Sequence, residues 1–381
     1  MSLYYILVLC TGCLVATSYL IPKIISVVRY KHLMENPNER SSHGTATPSL
    51  GGIAFFIVFV ISLSFNNYFD EYHVSMSILP GLTVLFFLGL KDDLVVLSAR
   101  MKLLGQCVAC LFILQNPHFQ LNNLGGFLGI FEIPLWISIP MGLFLMLAII
   151  NSFNLIDGID GLAASIATII FIFFAWVFNA IHLNFMFLTA ISMIGILIGF
   201  LYFNLSPTKK IFMGDTGSMQ IGFIIAIMTM RFLAANETNL GHLPFQSSFK
   251  PLIVFVLLIV PVYDAVRVFI MRILKGKHPF TPSRDHFHHL LIDGFNLCHW
   301  KGSFIIVLFN VFFLGISLFV MHRFSVVELI LLILCFLVLM TFFCIKLERM
   351  VLLKSKNHKE PVKLDKSVKA PLLGLTGKGE L

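Results

Sequence analysis

The strongest constraint on this chain is the recurrence of apolar runs. Eleven of them fall at approximately Leu3 to Val28, Gly51 to Phe65, Ser77 to Leu90, Leu103 to Leu114, Pro134 to Ile150, Leu162 to Phe178, Phe185 to Asn204, Gly217 to Phe232, Leu252 to Met271, Phe304 to Val320 and Val327 to Ile345. A hydrocarbon layer about 30 Å thick is crossed by ~20 apolar residues in a helix, and within it backbone N–H and C=O groups must bond internally. With hydrophobic residues at 58% and charged residues at 12% of 381, the chain is too apolar for a water-soluble domain. The expected fold is all-α: a polytopic integral membrane protein of about eleven transmembrane helices. The first run lacks a preceding basic residue and a following small-residue cleavage pattern, so it reads as a retained helix.

Charge sets the topology, because Lys and Arg accumulate in cytoplasmic loops. Arg29 and Lys31 follow the first run, and the loops after runs 1, 3, 7 and 9 and the C-terminal tail hold most of the 27 Lys and Arg. The opposite loops hold only Arg231, Lys250 and Arg323. This predicts an extracytoplasmic N-terminus, a cytoplasmic C-terminus and a multi-pass protein of the cytoplasmic (inner) cell membrane. A membrane domain over residues 1–346 is then followed by a basic, disordered tail over 347–381. The excess of basic residues belongs to the membrane surface, and no nucleic-acid partner is expected. The CxxC pairs Cys10/Cys13 and Cys107/Cys110 lie inside apolar runs without histidine or carboxylate nearby, so they are expected to pack as small hydrophobic residues.

The polar clusters all fall in loops assigned to the cytoplasmic side. Lys91-Asp92-Asp93 ends the third run; neighbours on a helix do not share a face, so at most one carboxylate meets a given ligand. In NSFNLIDGIDGL (Asn151 to Leu162), Asn154, Asp157 and Asp160 would share one stripe if helical, a set suited to a hard cation or a sugar hydroxyl. An N-cap by Asp160 is the plainer alternative and explains one carboxylate of the set. FMGDTGS (Phe212 to Ser218) has the form of a tight turn into a helix N-terminus, which attracts phosphate. Asp215 would repel that phosphate unless Mg²⁺ sits between them. A simple N-cap is again the alternative. SRDHFHH (Ser283 to His289) packs Arg284, His286, His288 and His289 together; anion binding is the more economical reading, because the histidine spacing without cysteine is a weak zinc pattern. Asp264 and Arg267, three apart, read as a structural ion pair. The first loop adds Arg40, His43, Thr47 and a turn at Gly51-Gly52.

Taken together, from about Arg40 to Leu291, these runs resemble the polyprenyl-phosphate N-acetylhexosamine-1-phosphate transferase family, glycosyltransferase family 4. That family moves a sugar 1-phosphate from a UDP-sugar to a polyprenyl phosphate and releases UMP. The resemblance implies that Asn154 and Asp215 bind Mg²⁺, with Mn²⁺ as a substitute. Asp92 and Asp93 match its paired aspartates, one of which engages or deprotonates the lipid phosphate, and Asp157 and Asp160 match carboxylates near nucleotide and sugar. Arg284, His286, His288 and His289 match the loop that governs sugar choice and diphosphate binding, and Thr47 and Lys102 join the substrate-binding set. The HxHH form after PFTPSRD is similar to the N-acetylglucosamine branch rather than to the three consecutive histidines of the MurNAc-pentapeptide branch. Val96 stands where many members carry the third aspartate of DDxxD. The implied partners are a polyprenyl (undecaprenyl) phosphate, a UDP-sugar and a second copy of the chain in a homodimer.

Two other readings remain open from the sequence: the same reaction with another UDP-N-acetylhexosamine, and a lipid-linked sugar transporter or flippase. Transporters usually place polar groups near the bilayer midplane. Clustering at one interface favours the enzyme.

Overall fold

The apolar runs fold as helices. The computed structural model describes residues 2–35, 47–235, 240–241, 243–276 and 285–357. Thirteen helices follow in order: α1 (Leu3–Tyr30), α2 (Gly52–Asn66), α3 (Val74–Leu94), α4 (Ala99–Leu114), α5 (Leu135–Ile156), α6 (Leu162–Ala180), α7 (Asn184–Asn204), α8 (Gly214–Leu233), α9 (Lys250–Leu257), α10 (Ile259–Leu274), α11 (Phe287–Phe295), α12 (His299–Arg323) and α13 (Val326–Asn357). The strands among the described residues form two short antiparallel pairs, β1 (Met34–Glu35) with β2 (Thr47–Pro48) and β3 (Asn123–Phe127) with β4 (Ile130–Glu132). Arg40, His43, Arg284 and the chain after Asn357 lie outside the described residues.

Nine of the described helices are long and apolar enough to cross a membrane, and α9 with α10, bent by 65° where they meet, passes the same test as a pair. The bend has a chemical cause. Pro261 lacks the N–H that would bond the carbonyl of Leu257, four residues back, so the axis breaks at Leu258. The remaining apolar run is the 16-residue α4. Helix α13 continues past Lys346 to Asn357, which moves the end of the helical body beyond the boundary expected from hydropathy. There Lys354 Nζ donates to the Gly294 carbonyl (2.7 Å) and to Asn296 Oδ1 (3.0 Å), tying α13 to the end of α11.

Helix α8 is the axis of the molecule. Every residue from Thr216 to Leu233 is buried, and α2, α3, α5, α6 and α9 pack around it. Lipid tails are as apolar as leucine, so helices associate through close packing and small residues. Gly52 and Gly89 provide that approach at the start of α8: a Cβ on Gly52 would stand 2.3 Å from the Gly217 nitrogen, and one on Gly89 2.5 Å from Thr216 Cα. Further along, Phe153, Phe171, Phe174, Phe223 and Phe232 fill the interior. Cys13 and Cys110 are buried and all seven cysteines are free, as their apolar setting predicts. The C-terminal ends of α3 and α5, the start of α4 and α8, and α11 meet at one end of this bundle.

Candidate active site

Asp92 and Asp93 end α3 and point in different directions. Asp93 accepts the backbone N–H groups of Asp215 (2.7 Å) and Thr216 (3.0 Å) and the Thr216 hydroxyl (2.5 Å). It caps α8 from another helix, because Met213 at the N-cap position offers no side-chain acceptor. These N–H groups are expected from the sequence to face phosphate; in the structure a carboxylate takes two of them. Gly214 makes this possible with φ +68, since a Cβ there would stand 2.1 Å from the Ser49 carbonyl oxygen and 2.5 Å from Asp93 Oδ2.

Asp92 is buried. Its Oδ1 accepts the Leu97 N–H (2.7 Å), and its Oδ2 pairs with Lys102 Nζ. The same ammonium donates to Asp215 Oδ2 at 2.6 Å. Asn154 Nδ2 donates to Asp215 Oδ1 (3.0 Å) and to Ser218 Oγ (3.0 Å). Four helices, α3, α4, α5 and α8, therefore converge on two carboxylates, one amide and one shared cation. Val96 is 91% exposed and contributes nothing to this group.

The stripe expected for Asn154, Asp157 and Asp160 is not formed. Helix α5 stops at Ile156, Asp157 has left helical geometry (φ −77, ψ 55), and Gly161 turns the chain with φ +77. The Gly161 N–H donates to Asn204 Oδ1 at 2.6 Å, which fixes that turn. Asn154 thus faces Asp215, whereas Asp160 pairs with Lys210 (2.5 Å) and lies 3.4 Å from His299 Nδ1. Nor does Asp160 cap α6, whose N-cap is Gly161. Asp157 is half-buried.

Asp264 seats the histidine segment. Its Oδ2 lies 2.9 Å from His286 Nδ1, and its Oδ1 accepts the Phe287 N–H at 2.7 Å. Arg267 Nη2 lies 3.4 Å from that same oxygen, its Nη1 pairs with Glu348 at 3.1 Å, and the guanidinium also donates to the Asp285 carbonyl. The ion pair read from the sequence is present and does more than brace α10. His286 and His288 stack at 5.6 Å, and His288 and His289 lie 4.3 Å apart. His288 Nε2 points at Gly158, where a Cβ would stand 2.2 Å away, and has no hydrogen-bond partner among the described residues. Burial, with His289 beside it, holds its pKa well below the usual histidine range. Thr47 is buried in β2 opposite Glu35, and the neighbouring Pro48 carbonyl accepts the Phe212 N–H at 2.8 Å, joining the first loop to the segment before α8.

Lys210, His299 and Asp264 are functional candidates that sequence reasoning missed. Lys210 counts there only as a topological charge, although it stands five residues before Asp215. Nothing in the sequence alone links Asp264 to a loop more than twenty residues away.

No set of three His, Cys, Asp or Glu side chains among the described residues converges in metal-ligating geometry. The two carboxylates drawn to one cation, with an amide beside them, nevertheless fit Mg²⁺, which takes one or two carboxylates and completes its octahedron with water and substrate phosphates.

The family model described as glycosyl transferase family 4 matches residues 75–233, the segment that carries α3 to α8. Named relatives extend the likeness. The probable undecaprenyl-phosphate N-acetylglucosaminyl 1-phosphate transferase of Bacillus subtilis is 30% identical over 283 residues, covering 74% of this chain and 75% of that one. The undecaprenyl-phosphate alpha-N-acetylglucosaminyl 1-phosphate transferase of Thermotoga maritima is 27% identical over 303 residues, 79% of this chain and 87% of its own. Its counterpart from Salmonella typhi is 28% identical over 267 residues, 68% and 69% of the two chains. Likeness on this scale runs well beyond the segment of the family model, and the chain belongs to glycosyl transferase family 4.

Proposed function

We propose that this chain transfers N-acetylglucosamine 1-phosphate from UDP-N-acetylglucosamine to a polyprenyl phosphate such as undecaprenyl phosphate. UMP leaves, and a lipid-linked diphosphate sugar starts the synthesis of a cell-envelope polysaccharide. The observation that carries the reading is the meeting of Asp92 and Asp215, from two helices, on one cation. The names of the relatives supply the substrate class.

The reaction brings two anions together, and two unit charges 4 Å apart repel by about 4 kcal/mol at an effective dielectric of 20. Asp92, Asp215 and Lys102 carry −1 between them, which leaves phosphate repelled. Asp92, Asp215 and Asn154 would hold Mg²⁺, which when bound would reverse that sign, screen the diphosphate and stabilise charge developing on the departing UMP. Lys102 adds a second cation at the same point. The lipid phosphate is largely ionised at neutral pH, so no obligatory base is required. Asp93 is engaged with the start of α8, and Asp92 is the better placed of the pair to orient the acceptor. Around the sugar and diphosphate would stand Asp157, Asp160 with Lys210, Thr47, and the segment from Asp285 to His289. The buried His288 serves the shape of that segment, and His289 beside it is half-buried. The clusters face the cytoplasm in this reading.

The test is UMP release by detergent-purified full-length protein with undecaprenyl phosphate and a panel of UDP-sugars, with and without Mg²⁺. Mg²⁺-dependent release with UDP-N-acetylglucosamine is expected. Release with another UDP-N-acetylhexosamine alone would keep the reaction and discard the sugar, and no release from folded protein would discard both. Phosphate trapped covalently on an aspartate would exclude direct attack.

A further inference from the structure

At the end of the bundle opposite the carboxylates, a cavity opens to the surroundings between the turn after α2, the α6–α7 turn and the last turn of α8. Tyr72, His182, Asn184 and Arg231 line it. Arg231 lies about 24 Å along α8 from Asp215, at ~1.5 Å of rise per residue, and is only 7% exposed. Its guanidinium carbon sits 5.8 Å from the centre of the Tyr72 ring. Among the described residues it makes no ion pair and no hydrogen bond.

Two carboxylates, Asp70 and Glu71, border the same cavity, and neither forms an ion pair with this cation. Asp70 accepts the N–H groups of Val74 (2.7 Å) and Ser75 (2.8 Å), one on each oxygen, and so caps α3. Glu71 is exposed to the surroundings. The Arg231 charge reaches His118, whose ring is tilted against that of Tyr72 at 4.1 Å and whose pKa falls through burial and through the neighbouring guanidinium.

A guanidinium presents five N–H donors in a fixed planar fork. Withdrawing it from water is costly, and the face of one tyrosine returns only part of that cost. The geometry lacks an anion whose oxygens match the fork, as phosphate oxygens do. Lipid phosphates lie at the depth where helices emerge from a bilayer, on either face.

We propose that the cavity at Arg231 is a second anion site, separate from the carboxylate cluster, that binds a phosphate group from a lipid headgroup or from free phosphate. The guanidinium takes the phosphate oxygens while Tyr72 holds its other face and Asn184 and His182 border the rim.

The test uses purified full-length protein in neutral detergent without divalent cations. The unfolding midpoint is read against inorganic phosphate and, separately, against phosphatidylglycerol added to phosphatidylcholine mixed micelles. A ligand of the folded state raises the midpoint with concentration. The expected result is a rise in wild type that Arg231→Gln weakens by about tenfold or more in apparent affinity, with Arg231→Lys between the two. A rise with phosphatidylglycerol alone identifies the headgroup, and a rise with inorganic phosphate identifies the free anion. Equal rises in wild type and Arg231→Gln, or no rise with either probe, overturn the proposal. Should Arg231→Gln not be monodisperse, Tyr72→Ala and Asn184→Ala take its place, and an unchanged response in both overturns it equally.

Discussion

Lys102 is shared by Asp92 and Asp215, so its removal leaves two carboxylates to repel each other and the incoming phosphate. Lys102→Gln is expected to lower UMP release by about 10²-fold, the scale of losing one preorganised electrostatic partner in a catalytic site, and Lys102→Arg to retain part of the rate. Turnover by both variants checks this. His288 permits a prediction about pH. Its folded pKa lies well below the usual value, so below about pH 6.5 the unfolded chain binds a proton that the folded chain refuses. The contribution of His288 to stability then falls as pH falls. The unfolding midpoint of wild type, taken relative to that of His288→Asn, should therefore drop between pH 7.5 and 5.5. At this scale the sequence was legible where polar residues stand against an apolar background, as at Asp92, Asn154 and Asp215. It was opaque where a carboxylate works across the fold. Asp264 three residues before Arg267 looks like a helix ion pair, and only packing of α10 against α11 shows that it holds His286 and the Phe287 amide.

The elements depend on a few close approaches. A methyl group on Gly89 would meet the backbone of Thr216, and α3 and α8 would separate at the point where Asp92 and Asp93 leave one helix for the other. Gly89→Ala is therefore expected to lose activity together with stability, read as UMP release and the unfolding midpoint in one preparation. Gly158→Ala differs: its methyl group would meet the far end of a side chain, His288 Nε2, so the cost should appear chiefly in the KM for the UDP-sugar as the histidine segment shifts. Runs of apolar residues foretold the spanning helices because lipid demands them. They could not foretell where helices stop inside polar stretches. Gly158 and Gly161 end the helical stripe through Asn154, and Pro261 splits one run into α9 and α10. The last turns of α13 are polar and read as tail, yet contacts with α11 make them helix.

For the whole molecule, topology is the open quantity that one native residue can report. Cys298 is exposed just before α12, next to the His299 that faces Asp160. If the clusters face the cytoplasm, a membrane-impermeant maleimide should label Cys298 in inverted vesicles and not in intact spheroplasts, with Cys298→Ser as control. The reverse pattern would place the clusters outside. The positive-inside bias made this orientation readable from the chain, because loop charge is a property of sequence alone. The burial of α8 on every side was not readable, since an apolar run looks the same whether it meets lipid or protein.

The cap that Asp93 places on α8 joins residues 122 apart in the chain. At ~5–20 residues per second of synthesis, Asp215 leaves the ribosome about 6–24 s after Asp93. Until then α3 stands in the membrane with a carboxylate that has nothing to cap, and the carboxylate pair does not exist. The histidine segment arrives later still, after its seat at Asp264. A nascent or truncated chain would thus occupy the membrane without carrying out the proposed transfer, which becomes possible only once most of the protein has been made.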